Sequence, residues 1–218
     1  MRDGLVLLIG ILPSSRLKCL VLRLLKGWHI SPSATIGSCL FFKVRHLVLE
    51  DEAVLSSGSV YRNLRNVRVG RRSSIGRWNT LSSAEGFDAI SPKAACLTIG
   101  HESAITNRHY IDCSGGVLIG DFSTIAGVRS TFLSHSIDLQ EGRQGVACIS
   151  IGDYTFVASN CSVMAGATLP AKSVLAMGAV LRPGSHREGM MYGGVPARPL
   201  QDIQGAYFLR SVGRVGIE

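Results

Sequence analysis

The sequence predicts an all-β fold, a left-handed parallel β-helix of hexapeptide repeats, with a short amphipathic helical segment at its N-terminus. In the C-terminal half an aliphatic residue recurs at every sixth position: Ile151, Val157, Val163, Leu169, Leu175 and Leu181. Four residues after each of the first five stands a small residue: Thr155, Cys161, Ala167, Ser173 and Ala179. A period of six fits neither a helix nor an alternating strand, and it is typical of one side of a triangular coil. Abundant glycine (25 residues) and few aromatics (6%) also favour short strands with tight corners.

The same period continues upstream in shorter runs. These runs are Ile30 and Ile36; Leu49 and Leu55; Val69, Ile75 and Leu81; Ile99, Ile105, Ile111 and Val117; and Ile119 and Ile125. Residues 82–98 and 132–148 break the period and are predicted to leave the coil as loops. Because a core repeat does not need such excursions, we expect function there. The chain is thus divided into an N-terminal segment (1–29), a β-helix (30–198) and a C-terminal tail (199–218).

Positive charge is concentrated near the N-terminus of this 218-residue chain, whose net charge is +8. Residues 1–77 hold 13 Lys and Arg against four Asp and Glu, a net charge of +9, whereas the remainder holds 10 against 11. Anionic membranes and nucleic acids are the usual partners of such a basic region. Nucleic acid is disfavoured because no aromatic residues are interleaved with the basic ones.

The first 26 residues allow two interpretations. An apolar run at 5–12 is too short to span a bilayer, and Pro13 ends it. Further along, Leu17, Leu20, Val21, Leu24 and Leu25 recur at helical spacing among basic residues. This pattern predicts either a basic amphipathic helix on a membrane surface or a helix packed on the β-helix.

A second basic segment runs from Arg62 to Arg77 and contains six arginines. On a β-helix these side chains are expected to point outwards, towards lipid phosphates, a pyrophosphate-linked acceptor or simply solvent. The six cysteines are scattered without a CxxC pair and are predicted to be reduced thiols. The expected location is therefore cytoplasmic, with peripheral attachment to the inner face of the cytoplasmic membrane.

Three stretches resemble the hexapeptide-repeat acyltransferases, the group that includes galactoside and maltose O-acetyltransferases. They are ISIGDYTFVASNCSVMAGATLP (149–170), VLAMGAVL (174–181) and GGVPARPL (193–200), and the likeness covers roughly residues 30–198. The stretch RHYIDCSGGVLIGDFSTIAG (108–127) resembles sugar-modifying and polysaccharide-modifying members. The chain departs from the family pattern at Phe156-Val157-Ala158, where the family has Trp-Ile-Gly, and it lacks a lysine near Arg182.

The resemblance implies an O-acyltransferase that moves an acyl group, expected to be acetyl, from acetyl-CoA to a saccharide hydroxyl. It further implies a role in cell-surface polysaccharide or glycolipid biosynthesis, a homotrimer with its site between subunits, and no metal. For the chemistry, His135 in the second excursion matches the family's catalytic histidine, and imidazole suits a general base because its ordinary pKa is near neutrality. Acceptor binding is assigned to Asn107, Asp112, His109 and Arg143. Asp112 is alternatively expected to orient His135.

CoA contacts are implied for Ser159, Met177, Arg182 and Arg198. Ser159 and Met177 match family positions along the pantetheine arm. Arg182 stands at the family's threonine, and Arg198 matches the closing basic residue of the last motif. Guanidinium groups are well suited to phosphate oxygens.

Two other functions share this fold class. One is a γ-carbonic-anhydrase-like metalloenzyme, which needs three zinc-binding histidines, but His135 has no partner histidine five residues away. The other is a non-catalytic β-helix scaffold, for which a histidine in the excursion would have no purpose.

Overall fold

The computed structural model describes the backbone of residues 2–213 and the side chains from residue 4 onwards. Within this part the chain winds into seven complete coils with three flat sides, each side a parallel sheet. The predicted left-handed β-helix is therefore confirmed. Residue 1 and residues 214–218, which belong to the predicted end segments, lie outside the described residues.

Each coil contributes one strand to each side. Side 1 consists of β1 (His29–Ile30), β4 (His46–Leu49), β7 (Asn66–Val69), β10 (Cys96–Ile99), β13 (Val117–Ile119), β18 (Ile149–Ile151) and β21 (Thr168–Leu169). Side 2 consists of β2 (Thr35–Ile36), β5 (Val54–Leu55), β8 (Ser74–Ile75), β11 (Ala104–Ile105), β14 (Thr124–Ile125), β19 (Phe156–Val157), β22 (Val174–Leu175) and two terminal strands, β24 (Met190–Gly193) and β25 (Arg198–Asp202). Side 3 consists of β3 (Leu40–Phe42), β6 (Val60–Arg62), β9 (Thr80–Ser82), β12 (Tyr110–Asp112), β15 (Thr131–Leu133), β20 (Ser162–Met164) and β23 (Val180–Leu181).

The hexad aliphatics form the core, and small polar residues form the corners. Ile75, Ile105 and Ile125 stack on side 2 and are fully buried. At the corner between sides 1 and 2, the hydroxyl of Ser73 accepts the backbone N–H of Ser103 one coil away, at 2.8 Å. The hydroxyl of Ser103 accepts the N–H of Ser123 in the same way, at 2.9 Å. The small residue of the repeat is thus used to join successive coils.

Two helices cover the first coil, α1 (Arg2–Gly10) and α2 (Ser15–Lys26). Lys18, Cys19 and Leu22 of α2 are buried against the coil. The ammonium of Lys18 donates to the backbone carbonyls of Ile36 and Gly37, and burial lowers its pKa. Of the two interpretations of this segment, packing on the β-helix is the one observed. No helix in the described part is long and apolar enough to cross a bilayer.

Both excursions leave the coil at the corner between sides 3 and 1. The first follows β9 and contains a 3₁₀ turn at Phe87–Ala89. The second is a β-hairpin of β16 (His135–Asp138) and β17 (Arg143–Val146). Ser82, residues 96–98 and residues 132–133 of the predicted excursions 82–98 and 132–148 belong to strands of the coil, and Phe132 in β15 is a buried core residue.

The C-terminal tail runs back along the body. After β25, which pairs antiparallel with β24, the hydroxyl of Tyr207 donates to the carbonyl of Thr155 at 3.1 Å. The guanidinium of Arg210 lies over the Tyr207 ring at 3.7 Å. Further on, the N–H of Gly213 donates to Glu102 at 2.8 Å. The tail therefore passes from the last coil down to the fourth.

The arginines between Arg62 and Arg77 do not share one face of the β-helix. They stand on side 3, on side 1 and at all three corners of the second and third coils. Several have partners within the chain: Arg68 contacts Glu50, and Arg72 contacts Glu102. This segment forms a basic belt around the molecule rather than a flat patch.

Candidate active site

A carboxylate and an imidazole meet at the corner between sides 3 and 1. Asp112 ends β12 in the fourth coil, and its parallel neighbour Leu133 ends β15 in the fifth. His135 follows two residues after Leu133, so its ring reaches the carboxylate of the coil beside it. His135 Nδ1 lies 2.8 Å from Asp112 Oδ2. The two predicted residues thus form a dyad, with Asp112 in the orienting role.

Hydrogen bonds fix the position of the carboxylate. Asp112 is only 2% exposed. Its Oδ2 accepts the backbone N–H of Ser134 at 2.9 Å, and its Oδ1 accepts the hydroxyl of Ser114 at 2.6 Å. Because an ionised carboxylate can only accept, the proton of His135 lies on Nδ1 and donates to Asp112. In the neutral ring Nε2 then keeps a lone pair, and the His135 side chain is one third exposed.

The first excursion supplies a wall beside the dyad that sequence reasoning missed. The Phe87 ring is largely buried, and its centroid lies 5.9 Å from that of His135. Ser114 and Ser134 were also missed as supports of Asp112. The signal for the serines is local, since Ser134 directly precedes His135 and Ser114 follows Asp112 by two positions. Phe87 has no such signal, because only the fold brings the two excursions together.

His109 lies at a different corner, between sides 2 and 3, with its ring turned inwards. It is 2% exposed, and its Nδ1 accepts the backbone N–H of Ser130 at 3.1 Å. Nε2 lies 3.1 Å from the hydroxyl of Thr106. Burial lowers the pKa of His109 to about 4, so the ring is neutral at physiological pH. This corrects the prediction that His109 binds the acceptor, since both nitrogens are engaged within the chain.

Three other predicted site residues share that corner between sides 2 and 3. Asn107 is exposed and accepts the backbone N–H of Arg77 at 2.6 Å. Ser159 accepts the N–H of Val128 at 3.1 Å, and the side chain of Met177 is 69% exposed. This corner is separated from the dyad by the width of side 3. A single chain therefore does not bring Asn107, Ser159 or Met177 to His135.

The remaining predicted residues are arginines. Arg143 is exposed on β17, three residue pairs from His135 along the hairpin, or about 10 Å. Its guanidinium lies 3.7 Å from Glu141. Arg182 is exposed at the corner between sides 3 and 1 in the last coil. Both stand on the same corner as the dyad without contacting it.

Arg198 lies at the C-terminal end of the β-helix, beside a basic cleft. The cleft has a volume of about 360 Å³ and is lined by His186, Arg187, Tyr192 and Arg198, among others. The hydroxyl of Tyr192 accepts the N–H of Arg187 at 2.7 Å, and Arg187 also pairs with Asp202 at 2.7 Å. Arg198 itself is exposed. Two arginines and a histidine therefore border the cleft.

Cysteines close to the dyad are poorly suited to nucleophilic catalysis. Burial raises the pKa of Cys113, which directly follows Asp112, well above its ordinary value. Burial also raises the pKa of Cys148. Both residues are thiols at neutral pH, whereas the thiolate is the nucleophile. Among residues 2–213, no three His, Cys, Asp or Glu side chains are grouped closely enough to bind a metal ion.

Solved structures with the same fold are hexapeptide-repeat acyltransferases. A maltose O-acetyltransferase from Clostridium difficile 630 is 15% identical with a TM-score of 0.51, covering 63% of this chain and 70% of that one. An N-acyltransferase from Bacillus cereus, AntD, in complex with dTDP and coenzyme A, is 14% identical with a TM-score of 0.60, covering 75% and 84%. A hexapeptide-repeat acetyltransferase from Vibrio cholerae is 18% identical with a TM-score of 0.53, covering 93% and 89%.

No protein-family model and no curated protein matches the sequence. At the identities of the solved structures the likeness establishes the fold. The chain shares the left-handed β-helix of the hexapeptide-repeat acyltransferases, as the sequence motifs predicted.

Proposed function

We propose that this protein is a CoA-dependent O-acyltransferase that moves an acetyl group from acetyl-CoA to a saccharide hydroxyl in cell-surface polysaccharide or glycolipid biosynthesis. The observation that carries the proposal is the dyad, with His135 Nδ1 2.8 Å from the buried Asp112 carboxylate. Support comes from the neighbours, which include a maltose O-acetyltransferase and AntD in complex with dTDP-4-amino-4,6-dideoxyglucose and coenzyme A. Acetyl-CoA and a sugar acceptor are the substrates of the proposed reaction.

In the proposed reaction His135 is the general base. Asp112 holds the ring in the tautomer that leaves Nε2 unprotonated. Nε2 takes the proton of the acceptor hydroxyl while that oxygen attacks the thioester carbonyl, and a backbone N–H in the groove stabilises the oxyanion. The C–S bond then breaks, and the departing CoA sulfur takes the proton from the imidazolium. No acyl-enzyme is needed, because both substrates are held together.

The AntD neighbour makes an amino sugar the second candidate acceptor. The dyad favours a hydroxyl, because a hydroxyl has to lose its proton as it attacks. A free amine attacks with its own lone pair and needs a base only afterwards. An acceptor series that differs only in a hydroxyl or an amino group at one carbon decides between them. Faster transfer to the amine, with little effect of His135→Ala, would favour N-acylation.

We further propose that the working unit is a homotrimer. The outer face of side 3 carries five large apolar residues that are 38–44% exposed: Leu40, Phe42, Tyr110, Leu133 and Met164. If this face turns towards a three-fold axis, the dyad corner of each subunit meets the opposite corner of its neighbour. Asn107, Ser159 and Met177 of one subunit would then line the same groove as His135 of the next.

Mixed trimers test this arrangement. His135→Ala removes the base, and Met177→Trp fills the groove from the other corner, so each variant alone is expected to be inactive. In a random one-to-one mixture, about one quarter of the grooves combine two intact corners, and about a quarter of wild-type activity should return. Activity that stays at the sum of the two variants would contradict a shared site.

The activity itself is tested by incubating the protein with acetyl-CoA and a panel of saccharides. We expect release of free CoA thiol and a matching gain of one acetyl mass on the acceptor. Mass spectrometry of cell-surface glycans, with and without the protein, then identifies the natural acceptor. Absence of CoA binding in a thermal-shift assay would favour the scaffold alternative. The γ-carbonic-anhydrase-like alternative has no three-residue ligand group among the described residues.

A further inference from the structure

Helix α2 packs on the β-helix with its apolar stripe turned away from the core. Leu17, Leu20 and Leu24 are 52%, 50% and 76% exposed. The opposite face, which contains Lys18, is the one buried on the first coil. An amphipathic helix that only covered a core would be oriented the other way, with its leucines inside. The outward stripe therefore requires a separate explanation.

Helix α1 and the turn after it extend this apolar surface. The added residues are Leu5, Leu8 and Ile11, together with Leu25 in the last turn of α2, and they are between 46% and 63% exposed. Together with the stripe they leave uncovered about as much side chain as four fully exposed leucines. Contiguous apolar patches of this kind on soluble proteins usually mark an interaction site. We call these seven residues the apolar cap.

Positive charge is concentrated at the same end of the molecule as the apolar cap. Arg16 is exposed on the same helix as the stripe. Residues 1–77, which form the helices and the first coils, carry a net charge of +9, whereas the remainder carries −1. The basic belt from Arg62 to Arg77 encircles the second and third coils. The molecule is therefore electrically polar along its length, and its positive end is the apolar one.

We propose that the apolar cap docks on an anionic lipid bilayer. Leucines on a helix lying in the interface enter the acyl boundary, while the basic groups around them meet lipid phosphates. A second copy of the chain fits this surface less well, because two ends with the same positive charge would repel each other. In a trimer of parallel β-helices all three caps face the same plane, which strengthens binding without new contacts.

Docking in this way sets the height of the candidate site above the lipid. Asp112 lies in the fourth coil, three coil spacings or about 15 Å from the first. The helical layer adds roughly 10 Å more. If the proposed function holds, the natural acceptor is a saccharide carried on a membrane lipid, since its sugar would extend to this height. The docking itself does not depend on that function.

Vesicle co-sedimentation of the full chain tests the docking without an activity assay. Vesicles of phosphatidylcholine with about 30% phosphatidylglycerol are compared with pure phosphatidylcholine. Leu20→Glu with Leu24→Glu should weaken binding to the anionic vesicles by at least roughly tenfold. Leu5→Glu with Leu8→Glu should do the same from the other helix. Both pairs change exposed side chains, and thermal melts check that the fold is retained.

The matched control is Leu209→Glu with Val212→Glu, which adds the same charge at apolar positions of the tail that are 80% and 56% exposed. It should bind the anionic vesicles nearly as wild type does. Three outcomes would overturn the proposal. They are wild-type protein that binds neither vesicle, wild-type protein that binds native membranes only until they are treated with protease, and cap variants that change the oligomeric state but not vesicle binding.

Discussion

Two corners of the β-helix contain buried polar side chains and use them for different purposes. Between sides 1 and 2, the hydroxyls of Ser73 and Ser103 bond to backbone groups of adjacent coils, and each bond closes within the stack. Between sides 3 and 1, Asp112 is equally buried, but one of its bonds leads to a half-buried ring, His135. The second corner is the one the excursions interrupt. Interruption of the repeat is what leaves a polar group available for chemistry.

The histidines His109 and His135 show the same contrast. His109 stands where the repeat continues, and both of its ring nitrogens bond within the chain. His135 stands where the repeat breaks, and only Nδ1 has a partner in the described structure. Position relative to the repeat, rather than residue type, separates a structural histidine from a candidate base.

Removing the base should have the largest effect. General base catalysis typically contributes 10²–10⁴-fold, so His135→Ala should lower kcat by roughly that factor. CoA affinity and thermal stability should change little, because the ring lies in an excursion and supports no coil. Steady-state kinetics with the natural acceptor measures the change, and His46→Ala, an exposed histidine on side 1, is the control. Near-normal turnover of His135→Ala would mean that the corner between sides 3 and 1 is structural, like the corner between sides 1 and 2.

Removing the charge of the orienting carboxylate should have the next largest effect. Asp112→Asn keeps the shape but no longer favours the tautomer with an unprotonated Nε2, so we expect kcat to fall by roughly 10²-fold, the lower end of what general base catalysis contributes. At the corner between sides 1 and 2, the regular corner that no excursion interrupts, Asp153 accepts the backbone N–H of Asp121 at 2.8 Å. An amide oxygen can accept that bond equally well, so Asp153→Asn should leave turnover unchanged.

A double variant completes this comparison. If Asp112 acts through His135, then adding Asp112→Asn to His135→Ala should cost little further turnover. Two independent losses that multiply would mean that Asp112 contacts the acceptor directly, as its assignment to acceptor binding in the sequence analysis predicts.

The buried histidine should govern stability and not turnover. Asn79 occupies the place of His109 one coil below, so His109→Asn should fold and keep its activity. The folded-state pKa of His109, about 4, lies below its ordinary value of 6.5. The neutral ring's contribution is therefore complete above pH 6.5 and is lost as the pH falls towards 4. The wild-type free energy of unfolding should thus decrease by up to about 3 kcal/mol over that window.

Urea unfolding at pH 7 and at pH 4.5 measures this loss. The asparagine variant should be less stable at pH 7, by about 1–2 kcal/mol, and less sensitive to acid. An identical pH response in both proteins would mean that another group causes the acid sensitivity.

Much of the fold could be predicted because the repeat itself determines the direction of its side chains and the register of its strands. Each aliphatic at a period of six has one possible direction, inwards, and stacking sets the register. The direction of His109 could not be read in this way. Ile125 and Phe132 are seven residues apart rather than six, and the longer corner places the Ser130 N–H where it bonds the ring. The site that accepts the His109 ring is formed by two neighbouring coils, so the residue type at position 109 does not predict it.

The orientation of α2 was hidden for a related reason. Its periodicity shows an apolar stripe but not which way the stripe faces. The first coil presents the carbonyls of Ile36 and Gly37 to the helix, and these acceptors require a donor. Lys18 supplies it, so the face with Lys18 and Leu22 turns inwards, and the stripe of Leu17, Leu20 and Leu24 turns outwards. The distance between Asn107 and His135 could not be predicted for a simpler reason. The two residues lie at different corners of one chain, and the sequence pattern does not show which corner each occupies.

The smallest expected effect is at the C-terminal cleft. We expect the cleft to bind the cofactor, whereas the dyad carries out the reaction. Arg198 is exposed beside His186 and Arg187, far along the β-helix from the dyad. A guanidinium that binds a CoA phosphate contributes equally to the ground state and the transition state. Arg198→Ala should therefore raise the KM for acetyl-CoA by about tenfold and leave kcat at saturating acetyl-CoA nearly unchanged. Arg71→Ala, an exposed arginine at the regular corner, is the matched loss of charge and should change neither constant. A fall in kcat of the same size as the change in kcat/KM would instead mean that Arg198 acts on the transition state, and the separation between the cleft and the dyad corner would be wrong.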